Sequence, residues 1–330
     1  MRLRQTGLLC ACLLLAGPAV AAPNDCPAPT LALGRPHIDF VQTQVLGSRV
    51  LGPTNSLPGV DAAAMSYDAK GTRAVTVLFR FPAGWSMDKA HYLNSDQEFL
   101  VLSGELEFDK VVYGPGDYAY FPAGFAHAGL RSEKGAVVLN FYEGEHLAFY
   151  TSAPEGMYQP SKLVRRIASD ELRWRKLSKR DFHGGAGLSF KMLRRDRNSG
   201  EETWLLKSPP VAANAPALPG IQRFSDAVEE MFVIRGEVAT PRGLMRSGAY
   251  AWRAPNTPIG PFVSTSGFEA LIRSKGGAAH GRQLPVTPAV TTANTVAITD
   301  VNSPAPPFQP CIPEALQSVA FKAYDLARPY

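Results

Sequence analysis

Four residues in the first half of the chain, His91, Gln97, Glu98 and His127, are of types able to ligate a metal ion. His127 closes the frame Gly116, Pro122, Gly124, His127, in which glycines and a proline shape the turns that aim the imidazole. His91 lies upstream, followed by the neighbours Gln97 and Glu98. Two imidazoles and one oxygen donor suit zinc, iron, manganese, nickel or copper. Gln97 and Glu98 sit side by side on a β-type run, so only one can face the histidines unless a bulge intervenes. Glu98 would complete a two-histidine, one-carboxylate site with open positions, whereas Gln97 would leave the ligands nearly neutral and the site weaker. Both choices stand at this point. Tyr142 and Glu143, at the end of another β-type run, are candidates for acid/base work or ordinary wall residues, as is Lys89. His37, His146, His183 and His280 fall outside this pattern and receive no chemistry.

The elements that must position these side chains read as β throughout. Val75 to Phe81, Phe99 to Leu102, Tyr118 to Phe121 and Ala136 to Tyr142 are short runs rich in β-branched and aromatic residues. Turn sequences separate them: Pro82-Ala83-Gly84, Gly114-Pro115-Gly116 and Pro122-Ala123-Gly124. Short strands at this spacing argue for a sandwich or closed barrel. Only Pro313 to Arg328 reads as a helix, with Leu316, Val319, Ala320 and Tyr324 on one stripe. Pro285 to Pro310 reads as an extended linker.

The chain repeats itself. Gln97 to Glu105 (QEFLVLSGE) returns as Glu229 to Glu237 (EEMFVIRGE), and Gly116 to Tyr120 returns as Gly248 to Trp252, both displaced by 132 residues. Upstream, Thr76 to Phe79 meets Thr203 to Leu206 at an offset of 127, so five extra residues fall in the second copy, in a loop from Pro210 to Gly220. An internal duplication with an insertion between matching strands is what a repeated β domain tolerates. At the positions equivalent to His91 and His127 the second copy carries Arg223 and Ile259. Glu229 remains without a nearby histidine, so this copy has lost the metal pattern and serves as a packing partner or a pocket for something polar.

Residues 84 to 131 resemble the cupin superfamily, whose two motifs are Gly-x5-His-x-His-x3/4-Glu-x6-Gly and Gly-x5-Pro-x-Gly-x2-His-x3-Asn. The second is matched from Gly116 to His127, with Arg131 replacing the terminal Asn. The first is looser: Gly84 is one residue too far from His91, Leu93 takes the second histidine position, and Gln97 or Glu98 takes the acidic one. The whole is similar to secreted bacterial bicupins of undescribed function, related to the cupin part of zinc-binding anti-sigma factors. The resemblance implies an all-β fold of two tandem jelly-roll barrels with a short C-terminal helix. It also implies one divalent transition metal in the first barrel. The expected domains are a first barrel over 23–155, a second, degenerate barrel over 156–284, and a linker with helix over 285–330. The implied function is a small-molecule oxygenase, lyase or isomerase, the alternative being a non-catalytic binding or sensing protein.

Composition narrows the setting. Arg2 and Arg4, an apolar run from Leu8 to Leu15, and Ala19 to Ala22 describe a secretory signal peptide over 1–22. The run is too short to cross a bilayer. A lipoprotein anchored through Cys12 is the weaker reading, since Leu9-Cys10-Ala11 matches such a site poorly. Removing the two arginines lowers the formal net charge from +5 to +3, which does not point to nucleic acid. The densest basic run, from Arg165 to Arg180, is interleaved with Asp170 and Glu171 and reads as a solvated face. Cys26 and Cys311 remain after the cut, and a periplasmic or secreted location allows them to pair. The expected partner is a small molecule; oligomeric state is open.

Overall fold

The computed structural model describes residues 35–290 apart from 36, 70, 178–186, 212–217, 241, 261 and 280. The signal peptide, both cysteines, His183, His280 and the C-terminal helix expected from the sequence lie outside these residues. No helix among the described residues is long and apolar enough to cross a membrane.

Two antiparallel β barrels follow one another. The first is built on a seven-stranded sheet in the spatial order Val164–Ala168, Asp117–Phe121, Gln97–Gly104, Ala136–Tyr142, Val75–Phe81, Asp61–Tyr67 and Arg49–Val50. A four-stranded sheet of Trp85–Met87, Leu130–Ser132, Leu106–Phe108 and Val111–Tyr113 completes it. The interior is filled by Phe79, Phe81, Phe99, Val101, Phe108 and Phe121, all buried. The second barrel repeats the plan on a sheet running Ile38–Gln42, Ala249–Arg253, Val228–Thr240, Phe268–Lys275, Glu202–Ser208, Ser189–Arg195 and Arg175–Lys176. Its own interior gathers Trp204, Met231, Val233, Met245 and Ile272.

Structural equivalence follows the 132-residue offset. Gly104 and Gly236 share φ near +73° and +77°. A Cβ on either would collide with the carbonyl of Gly135 or Gly267, which are themselves one offset apart. No L side chain fits such a crossing without strain. The same glycine has therefore been kept twice.

Pairing crosses the expected domain boundary in both directions. Ile38–Gln42, placed by the sequence in the first barrel, pairs with Ala249–Arg253 of the second. Val164–Ala168, placed in the second, pairs with Asp117–Phe121 of the first. The barrels thus exchange equivalent strands, and the division at 155/156 is not a division of the sheets. The linker boundary also moves. Gly281–Val290 is a strand paired with Leu218–Ser225, so 285–290 is not free linker and the loop from Pro210 ends before residue 218. Pro285 and Pro288 are tolerated because this strand is an edge of its three-stranded sheet.

A third core welds the barrels. Leu100, Tyr118, Leu139 and Phe141 of the first sheet meet Phe232, Tyr250, Trp252 and Leu271 of the second. Within this seam lies a polar cluster with near two-fold symmetry. Glu98 accepts hydrogen bonds from Tyr118 of its own barrel (2.6 Å) and from Thr203 of the other. Glu230, one offset away, accepts from its own Tyr250 (2.6 Å) and from Thr76 of the first barrel (2.6 Å). Arg273 breaks the symmetry. Its Nε reaches Glu98 at 2.5 Å and its Nη1 reaches Glu230 at 2.7 Å, while its guanidinium lies 4.7 Å over Phe141, the residue at its own equivalent position. One arginine serves both carboxylates.

Burial alone would push the Glu98 carboxyl up, but the charges of Arg273 and Arg194 outweigh it and hold the pKa below the ordinary 4.5. A depressed folded-state value contributes stability above about pH 4.5 that is lost as pH falls below it. Replacing Arg273 by Ala removes the cation shared by two buried carboxylates, leaving Glu230 with Arg35 at 3.6 Å and Glu98 with the more distant charge of Arg194, and should cost about 3 kcal/mol, read from urea denaturation at neutral pH. A loss below about 1 kcal/mol would contradict a charge-bridged seam.

Candidate metal centre

The two motif histidines come together in the structure. His91 and His127 form a two-residue antiparallel bridge, each backbone N–H donating to the other's carbonyl at 3.0 Å. The imidazole centroids are 4.4 Å apart at 62°. Each ring is fixed in the same way: Nδ1 of His91 lies 3.2 Å from the Lys89 carbonyl, and Nδ1 of His127 lies 3.2 Å from that of Phe125. A carbonyl only accepts, so in both neutral rings the proton belongs on Nδ1 and the lone pair on Nε2. This is the tautomer a metal requires when it binds through Nε2.

The surroundings keep the rings neutral. Phe108, Phe121 and Phe125 lie within 5.3, 5.8 and 6.0 Å of His127, centroid to centroid. Burial, with a smaller contribution from His91, lowers the His127 pKa to about 4. Burial also lowers that of His91, against the opposing Lys89 hydrogen bond.

Strand alternation decides between Gln97 and Glu98. On Gln97–Gly104, Phe99 and Val101 face the first barrel's interior while Leu100 and Leu102 face the seam. Gln97 shares the inward phase and lines the histidine chamber. Glu98 has the opposite phase and lies in the seam with Arg273, so it is not a ligand of this site. Gln97 is held by a directed chain. Asn140 spends its Nδ2 on the Val138 carbonyl (3.3 Å), which leaves Oδ1 to accept from Gln97 Nε2 at 3.0 Å; that Nε2 also lies 3.3 Å from the Tyr142 hydroxyl. Oε1 of Gln97 is the oxygen left for a ligand.

Tyr142 also belongs to the chamber, and burial raises its phenol above the ordinary range, so it is a hydrogen-bond donor and no base at neutral pH. Glu143 does not belong to it. Its carboxylate binds Arg273 and, at 3.2 Å, Lys275 across the seam, because the residue after Tyr142 has the opposite phase. Lys89 is exposed, its ammonium 3.9 Å over the Tyr150 ring. His146, which the sequence left without a role, lines the chamber and stacks on Tyr142 at 4.2 Å. No motif marks it; only the return of the chain after Tyr142 brings it there.

The chamber encloses about 20 Å³, room for one water-sized occupant. The donor groups among its lining residues are imidazoles and the Gln97 amide, a neutral set that suits a borderline metal such as zinc or copper and lacks the carboxylate of the family pattern. Among the described residues no three His, Cys, Asp or Glu side chains converge as a metal site.

The second barrel shows what replaces such a centre. Arg223 and Ile259 pair as the counterparts of His91 and His127. The Arg223 guanidinium is salt-bridged to Glu229, at the position of Gln97, with Arg253 3.5 Å from the same carboxylate. An internal ion pair occupies the space of an ion site.

In the metal-free protein, the His127 Cε1 proton should titrate in NMR with a midpoint near 4, and that of His91 below 6.5. An unfolded histidine protonates near 6.5, so these rings should weaken folding as pH falls through that window. A midpoint at or above 6.5 for His127 would contradict a desolvated, neutral pair.

Residues 49–146 match the ChrR cupin-like domain family. Among solved structures, a Nostoc punctiforme protein carrying a dioxygenase designation aligns with TM-score 0.64 and 17% identity, covering 76% of this chain and 87% of that one. Oxalate decarboxylase from Bacillus subtilis aligns with TM-score 0.46 and 13% identity over 75% and 78%. No curated protein matches the sequence. The chain has the two-barrel cupin fold, and within its first barrel residues 49–146 are similar to the ChrR cupin-like domain.

Proposed function

We propose that the first barrel is the working half of a small-molecule cupin enzyme that holds one divalent transition metal on His91 and His127. The observation that carries this reading is the matched pair of imidazoles, each tied through Nδ1 to a backbone carbonyl two residues back. Both Nε2 lone pairs are thereby available to one ion. Gln97 Oε1 is the third donor. A bound divalent metal would supply Lewis-acid polarisation of a substrate oxygen. Tyr142 holds Gln97 in place and keeps its own proton, while the phenylalanines around His127 exclude water. With only neutral protein donors the ion keeps its full charge, so this site favours a substrate that brings an anionic oxygen. The signal-like N-terminus supports work in the periplasm or outside the cell.

A second reading is a non-catalytic binding or sensing cupin. It is favoured by the missing carboxylate, since no third acidic or imidazole ligand converges on the pair among the described residues. Elemental analysis of protein purified without a nickel column separates the two.

The enzyme reading expects about one metal per chain, and zinc or copper at about a hundredfold excess over Kd should add about 2.7 kcal/mol of stability. His127→Ala should lose the metal while remaining folded. Gln97→Glu should tighten metal binding by about tenfold, because a carboxylate neutralises the ion. The same substitution should destabilise the metal-free protein by burying an unpaired charge. Absence of metal with no stabilisation on adding it would end the enzyme reading.

A further inference from the structure

Outside the histidine chamber lies a larger cleft of about 480 Å³, within the size range of small-molecule sites. Ser56 and His146 line both spaces, so the chamber sits directly behind the cleft. The cleft wall is unusual for this surface. Of the five large hydrophobic side chains exposed among the described residues, three (Leu147, Phe149 and Tyr150) fall in one four-residue stretch of that wall. Tyr67 stands on the wall as well. Phe149 is stacked on Tyr92 at 5.3 Å, and Tyr150 lies 5.8 Å from His91, so the stretch is anchored over the site.

Arg73 supplies the charge. It has φ of +65°, a conformation that costs a non-glycine residue energy. The turn that imposes it is tightly held: the Asp68 carboxylate accepts from the Gly71 and Thr72 N–H groups at 2.7 and 2.6 Å and from the Thr72 hydroxyl at 2.9 Å. Arg73 Nη1 donates to the Ala69 carbonyl at 2.7 Å, and the guanidinium lies 5.8 Å over the Tyr67 ring. Only part of its five-donor fork is used by these contacts. Lys89, over the Tyr150 ring, adds a second cation beside the cleft. Glu145 is the one acid in the lining, and it is exposed at the rim.

We propose that this cleft binds an aromatic carboxylate, with the carboxylate on Arg73 and the ring against Tyr67 and Tyr150. The assignment rests on the enzyme reading above only in giving the ligand a purpose, since a second oxygen substituent at the far end of the ring would be the group that meets the ion behind His146. It names the substrate class that the neutral donor set leaves open. An arginine–carboxylate contact is charge-assisted and bidentate, so it discriminates a carboxylate from a neutral alcohol of the same shape.

The test is calorimetric titration of the full-length protein with 2-naphthoate, with 2-naphthalenemethanol as the neutral counterpart and decahydro-2-naphthoate as the ring-saturated one. Naphthoate should bind one per chain, about tenfold more tightly than either relative. Arg73→Gln should weaken naphthoate by about tenfold while leaving the alcohol and the melting temperature unchanged. No naphthoate binding at about 1 mM, or an Arg73→Gln variant that binds as well as the parent, would overturn the proposal. Equal binding of decahydro-2-naphthoate would overturn its aromatic part. Metal content is measured on the same samples: Arg73-dependent binding to a protein that takes up no metal would leave the cleft standing and remove the reading of the chamber.

Discussion

One alternation of side chains organises this molecule. Gln97 and Glu98 are consecutive on an interior strand of the first sheet, and the two-residue period of a β-strand sends them to opposite faces. Gln97 enters the barrel beside His91 and His127. Glu98 enters the seam, where Arg273 ties it to Glu230 of the second barrel. A slip of one residue would bring a carboxylate to the histidines and leave an amide opposite Arg273. The character of the chamber and the joining of the barrels are therefore set by the same register.

The duplication has diverged in a consistent direction. In the seam it is still symmetrical: glutamate, tyrosine and the threonine of the opposite barrel recur as a set around Glu98 and around Glu230. The copies are tied to one another in the seam, because each threonine serves the other barrel's carboxylate. Inside the barrels nothing couples the copies. The second has exchanged imidazoles for an Arg223–Glu229 pair that fills its own interior. The first has kept a histidine pair that forms no such ion pair among the described residues. A buried ion pair closes a site, whereas two neutral rings keep one open to an ion.

Much of this was legible in the sequence, and the rest was hidden for identifiable reasons. The Gly116 to His127 frame located one histidine, and the 132-residue repeat located the barrels and the lost second centre. The choice between Gln97 and Glu98 was not legible, since period-two patterning fixes alternation but not its phase when both residues are polar. Glu143 was misplaced for the same reason, one step past Tyr142. His146 and the cleft depend on how the chain turns back after the last strand, which no spacing rule records. The exchanged strands 38–42 and 164–168 were not among the runs expected as strands, and hydrophobic patterning names no pairing partner. Pro285 and Pro288 suggested a linker because a proline argues against a central strand, and the strand that contains them is an edge.

The account stands on a single ion between His91 and His127. Anomalous diffraction at the zinc edge, from crystals grown with zinc, tests it most directly. The account predicts one strong peak in the first barrel, about 2.0–2.1 Å from Nε2 of both histidines. It predicts no peak beside Arg223 and Glu229. A first barrel without a peak, or a peak bound through only one of the two rings, would contradict it.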